Sequence, residues 1–179
     1  MVWPFSYFRK PHAPSRGTIE AIYGMIVAQA REPLFYQALG VPDTVNGRFD
    51  MVLLHLWMVL RRLKAIEGEG LSQALFDHFC SDMDANLREM GVGDLTVPKR
   101  MQAFGEAFYG RSAAYDRAID MGPESMAEAL NKNIYSGQNI DSARRLAAYV
   151  ADAIATLAGR DNAALTAAAL GFPSPLALT

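Results

Sequence analysis

The chain has 179 residues, a formal net charge of -2 and a single cysteine, Cys80. This length suits one ordinary domain with its own core, and one cysteine excludes an internal disulfide framework. The small net charge gives no general attraction to nucleic acid or to anionic lipid, so neither is expected as a partner of the whole surface.

Residues 1–16 carry Pro4, Pro11 and Pro14 and show no periodicity. We interpret them as an irregular arm before a helical domain at 17–179. Aromatic rings followed by cations are typical of segments that lie at a membrane interface. The residues expected to contact the membrane are Trp3, Phe5, Tyr7, Phe8, Arg9 and Lys10. The alternative is an arm whose rings pack on the domain. Pro4 interrupts any signal-peptide core, so secretion is not expected.

Helical periodicity begins at Thr18, which is predicted to be the N-cap of the first helix. Pro33 must break that helix, and a short second helix is predicted from Pro33 to Leu39, with Gly40 as its left-handed stop. The third helix, at about 45–66, follows Asp43 or Thr44 as its cap.

The third helix is apolar nearly all round between Met51 and Leu60, which is typical of the central helix of a bundle. His55 lies inside this run. We interpret it as a hydrogen-bonded core residue, with a ligand role as the alternative.

The fourth predicted helix combines an apolar stripe with a dense polar set. The stripe consists of Phe76, Phe79, Cys80, Met83, Leu87 and Met90. Polar residues follow both edges of the stripe, among them Asp82, Asp84, Arg88 and Glu89. Such a concentration predicts a surface that meets a partner, although a solvated helix face with an Asp84 to Arg88 pair is the simpler interpretation.

The fifth helix opens at Thr96 and Pro98 and contains Tyr109, Gly110 and Arg111. A glycine inside a helix costs about 1 kcal/mol against alanine, so we expect another helix or a ligand to approach closely at Gly110. Arg111, at the edge of the apolar stripe, is predicted to pair with a carboxylate of a neighbouring helix.

Three more helices are predicted at 123–135, 141–158 and 161–170, with Asp141 as the cap of the second of them. No stretch has a sustained period of two or a strand–helix–strand rhythm. The predicted fold class is therefore all-α, a single-domain bundle of about six to seven helices.

Catalytic and metal-binding signatures are missing from the sequence. Asp82, Asp84 and Asn86 begin like a calcium loop, but Leu87 stands where that loop needs glycine. His78 and Asp82 have the spacing of a metal pair without a third ligand. We therefore expect neither an enzyme nor a cofactor.

Five sequence motifs follow one another in a specific order. They are Arg31-Glu32-Pro33-Leu34-Phe35-Tyr36, Gly40-Val41-Pro42-Asp43-Thr44 with Gly47-Arg48-Phe49-Asp50, Leu54-His55 with Arg61-Arg62-Leu63, Asp82 to Asp94, and Ala107-Phe108-Tyr109-Gly110-Arg111 with Ala114-Tyr115. Taken together, they resemble the ubiquinol-cytochrome c chaperone family. The resemblance covers residues 18–120 well and the alanine-rich remainder loosely.

The resemblance implies an assembly factor of the cytochrome bc1 complex that binds newly made apocytochrome b, together with a small helper protein. Mitochondrial members also dock near the ribosomal tunnel exit, but the slightly acidic chain does not favour ribosome contact. The chain is similar to a compact bacterial form, which implies a cytoplasmic location, peripheral on the inner face of the cytoplasmic membrane.

A partner-binding surface is expected from three segments that adjacent helix packing would gather. Its predicted members are Asp43, Arg48, Asp82, Asp84, Arg88, Glu89, Tyr109 and Arg111. Internal salt bridges are the alternative role for Arg88 and Arg111. The alternative function is a helical haem- or quinone-handling protein that uses His55 or His78 as a ligand.

Overall fold

The computed structural model describes residues 15–66 and 69–175, and the regular elements of these parts are α-helices. The predicted all-α bundle is confirmed, with six long helices and two of five residues. In chain order they are α1 (Arg16–Ala30), α2 (Pro33–Gln37), α3 (Val45–Ala65), α4 (Glu69–Glu89), α5 (Val97–Met121), α6 (Pro123–Ile134), α7 (Ile140–Ala158) and α8 (Asn162–Thr166). In these described parts no helix is long and apolar enough to cross a bilayer. The six predicted membrane-contacting residues of the arm lie outside them.

Two helix starts differ from the prediction. Ser15, with extended backbone, caps α1 through its hydroxyl, which accepts from the Thr18 N–H at 3.1 Å. Asn139 caps α7 in the same way, its side-chain oxygen accepting from the Ser142 N–H at 3.1 Å. The predicted caps Thr18 and Asp141 were wrong. α1 begins on the exposed residues Arg16 and Gly17, before its apolar stripe, and α7 begins at Ile140, which already packs against the core.

α3 is the central helix, as predicted. It packs against α1, α4, α5, α6 and α7, and every side chain from Leu53 to Val59 is buried. Its first turn begins at Thr44, whose hydroxyl accepts from the Gly47 N–H at 3.1 Å. A helix surrounded on all sides needs an apolar surface all round, which accounts for the run from Met51 to Leu60.

The apolar stripe of α4 is confirmed except at its end. Phe79 and Leu87 are buried, whereas Met90 is 67% exposed. α4 ends at Glu89, and Gly91 then turns the chain with φ 78°, so Met90 no longer lies on the helical face. Sequence spacing alone does not show where a helix stops, so the predicted stripe included Met90, which lies beyond the end of α4.

Cross-helix contacts fix the direction of the first helices. The Tyr23 hydroxyl donates to Asp82 Oδ2 at 2.8 Å, so the middle of α1 lies beside the second half of α4. Phe49, in the first turns of α3, faces Phe79 and Phe104, with ring centroids 6.4 and 5.0 Å away. The starts of α3 and α5 therefore lie toward the C-terminal half of α4.

α1 runs in the same direction as α3. Gln29, six residues after Tyr23, is bonded to Tyr149, which is bonded to His55, six residues after Phe49. The starts of α1 and α3 and the turn at 90–96 thus share one end of the bundle, called the turn end below. α5 leaves this end and finishes at the opposite one.

Gly110 does not lie at a close helix contact, contrary to the prediction. It is exposed, and a Cβ built there meets no atom within 4 Å. Gly47 is the opposite case, because a Cβ there would lie 2.0 Å from the carbonyl oxygen of Pro42. The close approach that requires a glycine is therefore at the start of α3, where the preceding turn folds onto the helix.

Candidate functional site

A buried ion pair joins α3 to α5. Arg111 Nη2 lies 2.8 Å from Asp50 Oδ1, and only 11% of the Asp50 side chain is exposed. The predicted pairing of Arg111 with a carboxylate of a neighbouring helix is confirmed. Burial raises the pKa of Asp50 to about 6, and the Arg111 charge opposes this rise. The pair adds to other contacts between α3 and α5, among them the Trp57 to Asp116 hydrogen bond and the ring contact of Phe49 with Phe104.

Part of this polar interior is without a hydrogen-bond partner among the described residues. Arg111 Nε and the Tyr115 hydroxyl are buried and unpaired. The ion pair also lines a cleft of about 490 Å³, together with Asn46 and Asn133. Arg111, which retains 24% of its side-chain exposure, faces this cleft, whose lining also includes apolar residues such as Phe104 and Ile134.

The polar residues of α4 are bound to partners within the chain. Asp82 accepts from Tyr23, and Arg88 Nε pairs with Asp84 at 2.6 Å. Arg88 also pairs with Asp94 beyond the end of the helix. The predicted Asp84 to Arg88 pair is thus confirmed. Solvent screens these exposed charges, so their ion pairs contribute little to the free energy of folding.

A second and larger cleft opens between α3, α4 and α5. It has a volume of about 710 Å³, and its apolar lining consists of Trp57, Leu60, Phe76, Phe108 and Tyr109. Below it is called the aromatic groove.

Tyr109 forms the exposed edge of the aromatic groove. It is 63% exposed, and its ring centroid lies 5.7 Å from that of Phe76 and 5.6 Å from that of Phe108. Trp57 Nε1 donates to Asp116 Oδ1 at 3.1 Å, which fixes the indole in the wall. The lining also contains six polar or charged residues, which are Arg61, Lys64, Ser72, Gln73, Ser112 and Asp116. Aromatic side chains beside polar and charged ones are the composition found at protein-binding sites.

The contacts divide the eight residues predicted for a partner surface into separate groups. Asp43 and Arg48 pair at 2.7 Å beside the first turn of α3, whereas Asp84 and Arg88 pair near the end of α4, where Glu89 is exposed. Tyr109 and Arg111 line different clefts. Two residues that are two positions apart on a helix point to nearly opposite sides, which separates them.

The sequence interpretation missed two kinds of residue at these clefts. The first kind is Asp50, which directly precedes the run that is apolar nearly all round. A charged residue at that position is expected near the core and therefore in an ion pair. The second kind is the aromatic residues of the apolar faces, Trp57 and Phe76, whose assignment to the core is confirmed. That they also line a groove between α3, α4 and α5 depends on how these helices are arranged, which spacing cannot show.

His55 is a hydrogen-bonded core residue, as interpreted from the sequence. The Met51 carbonyl can only accept, so Nδ1 donates to it at 2.7 Å and Nε2 accepts from the Tyr149 hydroxyl at 2.8 Å. Burial lowers the pKa of His55 to about 4, which keeps the ring neutral. With both nitrogens bonded and the ring fully buried, a ligand at His55 would have to displace part of the core.

The other predicted ligand, His78, packs edge-on against Tyr23, with ring centroids 5.0 Å apart. Asp82, Asp84 and Asn86 lie within the helix α4, so the calcium-like triplet is helical, as predicted. Among the described residues no three His, Cys, Asp or Glu side chains are grouped to hold a metal ion.

Comparison with known proteins gives a consistent set of relatives. The sequence model of the family described as Ubiquinol-cytochrome C chaperone matches residues 37–172. The crystal structure of the Cbp3 homolog from Brucella abortus is 36% identical, with a TM-score of 0.78, and the match covers 89% of this chain and 90% of that one.

Two curated relatives match over a shorter stretch. Ubiquinol-cytochrome-c reductase complex assembly factor 1 of Xenopus laevis is 29% identical over 63% of this chain and 56% of its own length. Protein CBP3, mitochondrial, of Saccharomyces cerevisiae is 29% identical over 60% of this chain and 34% of its own length. The matched segment thus spans about half or less of these relatives.

Proposed function

Because the chain belongs to the ubiquinol-cytochrome c chaperone family, we propose that it is a non-enzymatic assembly chaperone of the cytochrome bc1 complex that binds newly made apocytochrome b. The names of the assembly factors and the match to the Cbp3 homolog support this proposal. A small helper protein and peripheral contact with the inner face of the cytoplasmic membrane, through the arm, belong to the same proposal.

The aromatic groove is the observation that carries the proposal. A chaperone for a membrane subunit must hold an apolar helix and later release it. The groove offers Phe76 and Tyr109 to such a helix, while Trp57 and Phe108 belong to the buried core beneath it. Rigid aromatic side chains supply a large contact area at little cost in conformational entropy.

We assign the charged residues near the end of α4 to orientation rather than affinity. Asp84, Arg88 and Glu89 are accessible there, C-terminal to Phe76 and outside the lining of the groove. Charges at the rim of an interface steer encounter and fix register. We assign them, with Tyr109, to the partner-facing surface. Asp43 and Arg48 stay in this proposal as a separate exposed pair, and Asp82 and Arg111 as residues that position α4 and α5.

Filling the groove tests the proposal. Ala113 is exposed and lines the groove, so Ala113→Trp places a large ring in it without disturbing the core. Ala103, exposed on the same helix and outside both clefts, gives the matched control Ala103→Trp. We expect Ala113→Trp to abolish co-purification of cytochrome b from cells that make a bc1 complex, while Ala103→Trp retains it. Equal capture by both variants, at unchanged melting temperature, would contradict the groove as the client site.

A further inference from the structure

The cleft that contains Arg111, called the Arg111 cleft below, lies across α5 from the aromatic groove. On α3 its lining begins at the turn end, with Asn46, and extends to Asp50, whereas the lining of the groove begins at Trp57. Since α3 rises about 1.5 Å per residue, Asp50 and Trp57 lie about 10 Å apart along the helix axis. An extended chain covers this distance with about three residues, so one polypeptide segment can reach from the groove to the cleft.

Arg111 has unused hydrogen-bonding capacity toward this cleft. Its guanidinium carries N–H groups on three nitrogens, and of these Nη2 lies 2.8 Å from Asp50 Oδ1. Nη1 makes only a long contact of 3.5 Å with the Ala107 carbonyl oxygen, and Nε has no partner among the described residues. Polar groups that are largely buried are normally hydrogen-bonded, so an acceptor on an incoming molecule would complete this set.

The rest of the cleft supplies both donors and acceptors at no net charge. Asp50 and Arg111 are the charged side chains of its described lining, and they pair one to one. Asn133 Nδ2 donates to the Ala129 carbonyl oxygen at 2.9 Å, which leaves Oδ1 as an acceptor, and Asn46 is exposed. A neutral cleft with donors, acceptors and apolar residues suits the main chain of a peptide, in which N–H and C=O groups alternate.

Gly110 lies on the ridge of α5 that separates the two sites. Each residue of an α-helix is rotated by about 100° from the one before, so Tyr109, Gly110 and Arg111 point in three successive directions. Tyr109 lines the groove, Arg111 lines the cleft, and exposed Gly110 lies between them on the solvent side. A Cβ at Gly110 would meet no atom within 4 Å, and Ala114, one turn later, is also small. The ridge is therefore low where it separates Tyr109 from Arg111.

We propose that the Arg111 cleft binds the main chain of the polar segment that adjoins the client helix in apocytochrome b, and that this segment crosses α5 over Gly110. The inference rests on the proposed function, in which the helix itself occupies the aromatic groove. Membrane helices are joined by polar connections, and in a newly made subunit the main-chain groups of such a connection are not yet covered by its neighbours. Their carbonyl oxygens accept from Arg111 and Asn46, and their N–H groups donate to Asn133.

Peptides of cytochrome b test the proposal in detergent micelles. For each membrane helix, one peptide contains the helix alone and a second adds about ten residues of the adjoining connection, which is more than the crossing requires. For the helix that the unaltered protein binds best, we expect the connection to raise the affinity at least about tenfold, as two or three hydrogen bonds can.

Substitution of Asn46 tests the cleft itself. Asn46→Trp fills the Arg111 cleft and should bind both peptides alike, whereas the smaller change Asn46→Ala should lose part of the difference. Val45→Trp is the matched control, because Val45 is 80% exposed and lies outside the lining of the cleft. It should keep the full difference between the peptides.

Substitution of Gly110 tests the crossing. Gly110→Leu places a side chain on the ridge and should also reduce the difference between the two peptides. Ala103→Leu is the control, since Ala103 is exposed on the same face of α5, two turns earlier and outside both linings. It should keep the difference. A full difference in Gly110→Leu would overturn the crossing over this residue.

The two proposals fail in different ways. The inference is overturned if the connection gives the unaltered protein no gain, or if Asn46→Trp keeps the full gain at an unchanged melting temperature. The proposed function is overturned if no helix peptide binds, or if Ala113→Trp, which fills the groove, binds the helix peptide as tightly as the unaltered protein does. Loss of the gain in Asn46→Trp, with the helix alone still bound, supports both.

Discussion

Asp50 and Arg111 form the buried ion pair between α3 and α5. The carboxylate is almost enclosed, whereas the guanidinium keeps access to a polar cleft. A buried pair of this kind contributes little net stability over an apolar pair, but removal of one partner leaves the other charge stranded. The two residues must therefore be considered as one unit.

We expect Arg111→Ala to lower the free energy of unfolding by about 3 kcal/mol, because it leaves the Asp50 carboxylate buried without a counter-charge. Arg88→Ala is the control and should leave the free energy of unfolding nearly unchanged, because the Arg88 pairs are exposed. Urea denaturation measures both. Combining Asp50→Asn with Arg111→Ala should recover part of the lost free energy of unfolding, because no buried charge is then left without a partner. Equal losses in the Arg111→Ala and Arg88→Ala variants would show that the Asp50 to Arg111 pair has no special role.

At the scale of the helix, two glycines of similar sequence context have opposite roles. Gly47 lies in the first turn of α3, close to the Pro42 carbonyl. Gly110 lies in the exposed middle of α5 with open space around it. The first is required by a close approach of backbone. The second weakens its helix and gives no packing benefit in return.

We expect Gly110→Ala to stabilise the protein by up to about 1 kcal/mol, since alanine has the higher helix propensity and meets no neighbour. Gly47→Ala should destabilise it by about 2 kcal/mol or more, because the added Cβ forces backbone apart. Thermal melting of both variants is the measurement. If Gly110→Ala lowered the melting temperature instead, a contact at that face would exist that the described residues do not show.

The sequence predicted the helices well because their apolar stripes repeat at the helical period. α3 could be identified as central from its uniform hydrophobicity alone, and Arg111 was expected to bind a carboxylate. The errors arose where a helix extends beyond its stripe or stops within it, as at Ser15 and Met90. The two clefts could not be predicted, because one lies between α3, α4 and α5 and the other between α3, α5 and the end of α6, and the arrangement of helices in space is not encoded by spacing along one chain.

At the scale of the whole molecule, two buried groups respond to acid in opposite directions. Burial lowers the pKa of His55 to about 4, so the unfolded chain takes up this proton first and stability is lost as pH falls from 6.5 toward 4. Burial raises the pKa of Asp50 from 3.8 to about 6, so the folded chain takes up that proton first and stability is gained as pH falls. The two contributions oppose each other over nearly the same interval.

As far as these two groups are concerned, we therefore expect the free energy of unfolding of the unaltered protein to depend weakly on pH between about 6 and about 4. Asp50→Asn should make acidification more destabilising, by roughly 3 kcal/mol across the interval, because only the His55 contribution remains. His55→Gln should have the reverse effect on the slope. Free energies of unfolding at several pH values give both slopes, and parallel profiles for all three proteins would rule out this compensation.

The hydrogen bonds of Gln29 have a consequence for how the chain folds during synthesis. This residue of α1 reaches Tyr149, 120 positions later, and the Pro173 carbonyl, 144 positions later. Contacts between distant positions must wait until the later partner exists, and they slow folding. The contacts of α1 with Tyr149, with α8 and with the Pro173 carbonyl therefore cannot form until nearly the whole chain has left the ribosome. The protein, which is proposed to bind a newly made membrane subunit, is therefore itself incompletely folded during its own synthesis.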